Sequence, residues 1–164
     1  MLGKTVMDSN KPTILVVDDE PNLRSILNCA ISHNGDRVIE APNGEACLLI
    51  CQQQLPDLIL IDAVMPDMDG FTCCHTLKKT YGETCPPLIM ITALSNAEFI
   101  DRAFNAGITD YITKPIRWPI LRHRIDTALA NNRLQKKLDE AHCRIEYLEQ
   151  ELAHQELLTR SAPL

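Results

Sequence analysis

The chain has 164 residues, of which 45% are hydrophobic and 23% charged, and its formal net charge is −6. That length suits one compact domain plus an extension and is short for two full domains. The acidic balance argues against a general nucleic-acid binder, which needs a basic face, and no run reaches the roughly 18 apolar residues that span a bilayer.

Residues 1–12 read as a flexible N-terminus: Met1 to Lys11 is polar and lacks the apolar segment of a secretory signal. The first strand-length apolar run is Ile14-Leu-Val-Val17. A helical pattern follows from Pro21, a residue suited to a first helical turn, to about Ser32. Arg37-Val-Ile-Glu40 reads as a second strand, and the next helix starts near Asn43-Gly44-Glu45 and ends before Pro56. Leu58-Ile-Leu-Ile61 is a third strand, followed by a helix from Gly70 to about Lys79. Leu88-Ile-Met-Ile91 is a fourth; its helix opens at Ser95, with Glu98 at capping-box spacing, and stops at Gly107. Tyr111-Ile-Thr113 is the fifth. From about Trp118 onward there is no glycine and the only prolines are Pro119 and Pro163, so the chain reads as one long helix.

Three of these runs are continuously apolar, as strands buried on both faces of a parallel sheet are. The alternation (βα)5 predicts an α/β fold, with a five-stranded parallel sheet in order 2-1-3-4-5 and flanking helices. The seven cysteines are Cys29, Cys47, Cys51, Cys73, Cys74, Cys85 and Cys143, with no CxxC spacing. They read as reduced thiols of a cytoplasmic protein, used as small apolar residues rather than as disulfides or zinc ligands.

Ligands of such sheets bind outside the carboxyl ends of the strands. The first strand ends in Asp18-Asp19, the third in Asp62, the fourth in Thr92, and the fifth runs into Lys114-Pro115. The topology gathers three carboxylates, a hydroxyl and an ammonium at one edge. An aspartate at a strand end is often a helix cap, but capping does not explain Lys114 or the second member of an Asp pair. Clustered carboxylates repel unless a cation sits among them, and an oxygen-only ligand set favours a hard cation, Mg2+. An aspartate beside such an ion is a nucleophile toward phosphorus, and Lys114 and Thr92 are placed to steady phosphoryl oxygens.

With these residues in place the sequence resembles the receiver domain of two-component response regulators. The resemblance covers about Thr13 to Ala128. It rests on Ile14-Leu-Val-Val-Asp-Asp-Glu-Pro21 and Leu58-Ile-Leu-Ile-Asp-Ala-Val-Met-Pro-Asp-Met-Asp-Gly70. It continues in Ile89-Met-Ile-Thr-Ala-Leu94 and Ala106-Gly-Ile-Thr-Asp-Tyr-Ile-Thr-Lys-Pro115. The resemblance implies a CheY-like, flavodoxin-like fold over residues 13–130. It implies that Asp62 accepts a phosphoryl group from a histidine kinase or phosphotransfer protein. By the same resemblance Asp19 and Asp62 ligate Mg2+ directly, Val64 supplies its backbone carbonyl, and Asp18 acts through water. Thr92 and Lys114 contact the phosphoryl group, Tyr111 moves inward with Thr92 as a switch, and Lys114-Pro115 is a cis peptide, where sequence alone favours trans. Val64 offers no polar group to orient a hydrolytic water, so autodephosphorylation is expected to be slow. The chain reads as a switch, not an enzyme. A haloacid-dehalogenase-type phosphatase would need a second Asp where Val64 stands.

Beyond the domain, Leu134, Leu138, Ala141, Ile145, Leu148 and Leu152 recur at spacings of 4, 3, 4, 3 and 4. This is a heptad seam, with Leu138, Ile145 and Leu152 at a and Leu134, Ala141 and Leu148 at d. Leu121, Ile125 and Ala128 follow another phase, so the seam begins near Asn131-Asn132. Residues 131–158 read as a coiled coil pairing two copies in a parallel homodimer, and 159–164 as a disordered tail. In that arrangement Arg144–Glu149′ attracts, Lys137–His142′ is weak and Glu151–Glu156′ repels. The segment from Lys114 to Arg124 also resembles the exit of receivers joined to diguanylate cyclase (GGDEF) domains. The alternative reading is therefore the receiver and stalk of such a cyclase regulator.

Overall fold

Continuously apolar central strands, whose successive side chains point to opposite sides, give the sheet two buried faces. The computed structural model describes residues 11–93 and 96–160, the side chains of Thr159 and Arg160 excepted. The strands are β1 (Thr13–Val17), β2 (Arg37–Ala41), β3 (Leu58–Asp62), β4 (Leu88–Thr92) and β5 (Asp110–Thr113). The helices are α1 (Pro21–His33), α2 (Gly44–Gln53), α3 (Gly70–Tyr81), α4 (Ala97–Asn105) and α5 (Trp118–Arg160), with a 3₁₀ turn at Gly82–Thr84. All strand pairs are parallel and the order is β2-β1-β3-β4-β5. This is the expected order.

One face carries Leu15, Val17, Ile59, Ile61, Leu88 and Met90, covered by Cys47 and Cys51 of α2, Phe71, Cys73, Cys74 and Leu77 of α3, and Phe99 and Ala103 of α4. The other carries Ile14, Val16, Leu58, Leu60, Ile89 and Ile91, covered by Leu27 and Ile31 of α1 and by Leu121, Ile125, Ala128 and Leu129 of α5. Burying each such aliphatic side chain is worth about 1.5–3 kcal/mol, so the six central-strand residues on each face dominate the core. Five cysteines are buried free thiols within or beside it, and Cys29 and Cys143 are exposed free thiols.

The starts of α2, α3 and α4 follow side-chain caps. Asn43 accepts from the Ala46 amide, Asp69 from Thr72 and Asn96 from Phe99. The α4 cap corrects the sequence expectation of a start at Ser95: Asn96 holds the cap, as asparagine does at least as well as serine. Leu94 and Ser95 lie outside the described residues.

The chain divides into two compact units, Met1–Leu129 and Ala130–Leu164. Within the first, the opening turns of α5 bury Leu121, Ile125, Ala128 and Leu129. Within the second, Leu134, Leu138, Ile145, Leu148 and Leu152 are all exposed. Thr159 and Arg160, expected in a disordered tail, are the last residues of α5. The rest of that tail, Ser161–Leu164, lies outside the described residues, as does the flexible N-terminus apart from Lys11 and Pro12. No described helix is long and apolar enough to cross a membrane.

Candidate functional site

Strand register gathers the site. Val17 pairs with Ile61, Asp62 with Ile91, and Thr92 with Thr113. The residues that follow β1 and β5, and those that end β3 and β4, therefore meet at one sheet edge. Carboxylate oxygens of Asp18, Asp19 and Asp62 lie within 4.8 Å of one another. Lys114 Nζ donates to Asp62 Oδ2 at 3.1 Å and stands 3.8 Å from Asp18 Oδ2. The Lys114 amide donates to the Thr92 carbonyl at 2.7 Å, and the Lys114–Pro115 peptide is cis.

The electrostatics of this cluster are unbalanced. Asp18, Asp62 and Thr92 are buried, at 2%, 7% and 0% exposure, while Asp19 is exposed. Burial pushes the Asp18 carboxyl up to about 6. The charges of Asp62 and Asp19 push the same way, against the Glu20 amide and Lys114. The Glu20 amide donates to Asp18 Oδ1 at 2.8 Å. Three carboxylates against one ammonium leave a surplus of two negative charges, which a divalent cation neutralises. All the donors are oxygens, which fits Mg2+ better than zinc or copper.

The β3–α3 loop holds Asp62 from behind. Val64 donates its amide toward Asp62 Oδ1 at 3.3 Å, and its side chain is 62% exposed at the rim. Asp67 takes a left-handed φ of 65°, uncommon outside glycine. The chain then folds back until the Gly70 amide donates to the Ala63 carbonyl at 3.0 Å. A Cβ on Gly70 would fall 2.2 Å from the Asp62 carbonyl oxygen. The sequence shows this glycine, but only the structure shows that the acceptor strand needs it.

One clasp near the site was not foreseen. Arg102 of α4 donates to Asp69 Oδ2 at 2.9 Å, and its guanidinium lies 4.1 Å from the centre of the Phe71 ring. Phe71 meets Phe99 edge-on at 5.2 Å. This clasp joins α4 to the residue that caps α3. Asp69 and Arg102 stand 33 residues apart, and no local pattern pairs them. Tyr111 lies half-buried on β5, two residues before Thr113, with Phe104 of α4 edge-on at 6.4 Å.

The family model for the response regulator receiver domain matches residues 14–126. The chain belongs to the response regulator receiver family. It is 40% identical over 125 residues to a probable transcriptional regulator, ycf27, of Pyropia yezoensis, covering 75% of this chain and 49% of that protein. It is 42% identical over 118 residues to the heme response regulator HssR of Staphylococcus aureus, covering 70% and 50%. The receiver thus spans about half the length of these relatives. A response regulator structure from Chloroflexus aurantiacus superposes with a TM-score of 0.69 at 30% identity, covering 73% of this chain and 98% of that one. The receiver of a Syntrophus aciditrophicus signal transduction histidine kinase gives 0.68 at 30%, covering 73% and 91%. Receivers serve two-component signalling: histidine kinases phosphorylate them, and an acidic cluster binds Mg2+. The relatives matched do not favour the cyclase-stalk alternative.

Proposed function

We propose that Asp62 is the phosphoryl acceptor of a cytoplasmic two-component switch spanning residues 13–130, charged by a sensor histidine kinase or a phosphotransfer protein. The observation that carries this is the Lys114 ammonium 3.1 Å from Asp62 Oδ2 inside the three-carboxylate cluster. In the transfer, an Asp62 carboxylate oxygen forms a bond to phosphorus. The phosphorus–nitrogen bond of the donor's phosphohistidine breaks, and its electron pair stays on the histidine nitrogen. Lys114 stabilises charge on the phosphoryl oxygens, and the Thr92 hydroxyl donates to one of them. Asp19, Asp62 and the Val64 carbonyl would hold Mg2+, with Asp18 acting through water. When bound, the ion would neutralise the gathered charge of carboxylates and phosphoryl group.

The output proceeds by population shift: the phosphoryl group favours one arrangement of Thr92, Tyr111 and α4. Val64 orients no water, so hydrolysis of the adduct is slow and the chain acts as a switch rather than a turnover enzyme. Residues 131–158 join two copies in a parallel homodimer. The test is incubation with a small phosphodonor and Mg2+. An acid-resistant, base-labile adduct that disappears in Asp62→Asn supports the reading. Rapid multiple turnover would point instead to a phosphatase, and no adduct at all to a scaffold.

A further inference from the structure

Among the described residues, the second unit, from Ala130 on, is helical and its long apolar side chains are exposed. Leu134, Leu138, Ile145, Leu148 and Leu152 are 41–61% exposed. They fall on one seam with Ala141. One heptad before Leu138, at the first a position, stands Asn131. The d position after Leu148 is Gln155. The apolar layers are thus bracketed by one amide layer at each end. The outer face is occupied within the helix: Gln135 donates to Asp139 at 2.9 Å, and Tyr147 to Glu151 Oε1 at 3.1 Å.

A second copy of this helix is the occupant that the seam fits, because each layer is then complementary to itself. In parallel, Asn131 meets Asn131′, leucines meet leucines at 134, 138, 148 and 152, and Ile145 meets Ile145′. A buried asparagine at a specifies register at a cost in stability, and of the other a positions only Ile145 is β-branched. Charge alone does not choose the orientation. In parallel, Arg144 meets Glu149′ twice at mid-seam. The opposing Glu151–Glu156′ pair lies at the far end beside Gln155, and Glu151 is drawn to the outer face by Tyr147. In the antiparallel register that aligns the same layers, Leu134 opposes Leu152′ and Leu138 opposes Leu148′. That register sets Arg144 against Arg144′ but pairs Lys137 with Glu151′ twice and opposes Asn131 with the longer Gln155′, so the choice of orientation falls to the amide layers.

We infer that Asn131 is the residue that fixes orientation and register in the homodimer. This rests on the proposed self-association and goes beyond it. Both chains enter the seam from the same end, so any contact between the two receivers forms at raised effective concentration.

The test uses the full chain with Cys29 and Cys143 changed to serine, so that the exposed thiols do not interfere. Sedimentation gives the mass. Leu148→Cys, oxidised mildly, should then crosslink to itself. A mixture of Leu138→Cys and Leu148→Cys chains should give no mixed 138–148′ product, since disulfides need Cα atoms about 4.4–6.8 Å apart. Asn131→Leu should tighten association about tenfold, by removing a buried amide from each helix, and lose the single dimeric mass. A dimeric mass with the mixed 138–148′ crosslink would overturn the orientation and leave self-association standing. A dimeric mass with neither crosslink would overturn the seam as the interface. A monomeric mass at all concentrations would overturn the self-association itself. Asn131→Leu with unchanged affinity and a single dimeric mass would overturn the role of Asn131.

Discussion

Replacing Gly70 by alanine separates helix propensity from packing. Gly70 opens α3, and alanine in a helix is worth about 0.5–1 kcal/mol over glycine. Propensity alone therefore predicts a more stable protein. The structure predicts the reverse. An added Cβ would fall 2.2 Å from the Asp62 carbonyl oxygen and 3.0 Å from Ala63 Cα, and both obstacles are backbone. Relief requires the loop to move by about an ångström, which breaks the 3.0 Å bond from the Gly70 amide to the Ala63 carbonyl. Overpacking costs about 1–3 kcal/mol and a lost hydrogen bond about 1 kcal/mol. Net of propensity, Gly70→Ala should lose about 1–3.5 kcal/mol, or roughly 10 °C in midpoint temperature. Urea unfolding followed by circular dichroism reads the loss directly. Because the strain falls on Asp62, the rate of phosphorylation by a small donor should fall as well. An alanine variant as stable as the parent, or more so, would refute this account of the loop.

Three further outcomes follow from the same geometry. Asp69→Ala removes the cap of α3 and the acceptor of Arg102, and should cost about 1–2 kcal/mol in urea unfolding at neutral pH. Although burial alone would raise the Asp69 carboxyl, the Thr72 amide and Arg102 together hold it below its ordinary value of 3.8. Its contribution is therefore full above that value and lost as pH falls through the folded-state value. The parent and Asp69→Ala stabilities should converge in acid, and a gap that stays constant would count against the ionised cap. Lys114→Ala leaves the buried carboxylates of Asp62 and Asp18 without their ammonium and should slow phosphorylation by roughly 100-fold or more. An unchanged rate would remove Lys114 from the site. Val64→Asn places an amide at the rim of the site and should shorten the lifetime of the adduct, followed by loss of label over time. An unchanged lifetime would show that this position does not govern hydrolysis.

Much of this was legible in the sequence because burial writes itself into local patterns. β1, β3 and β4 are continuously apolar since both their faces are covered, and Asp18, Asp62 and Thr92 stand out where those runs end. What was not legible depends on contacts between distant residues. Nothing local pairs Arg102 with Asp69 or shows that Gly70 lies against the Asp62 carbonyl. The start of α4 was misplaced by one residue because Ser95 and Asn96 are both good caps, and only the Phe99 amide chooses between them. The 3₁₀ turn at Gly82–Thr84 has no periodicity to reveal it.

The most direct test of the central claim is to locate the adduct. The full chain is treated with a small phosphodonor, with and without Mg2+, and reduced with borohydride, which converts an aspartyl phosphate to homoserine. The peptides are then sequenced by mass spectrometry. The account predicts Mg2+-dependent conversion at Asp62 alone. Conversion at Asp18 or Asp19, or phosphate retained on a serine, threonine or histidine, would contradict it.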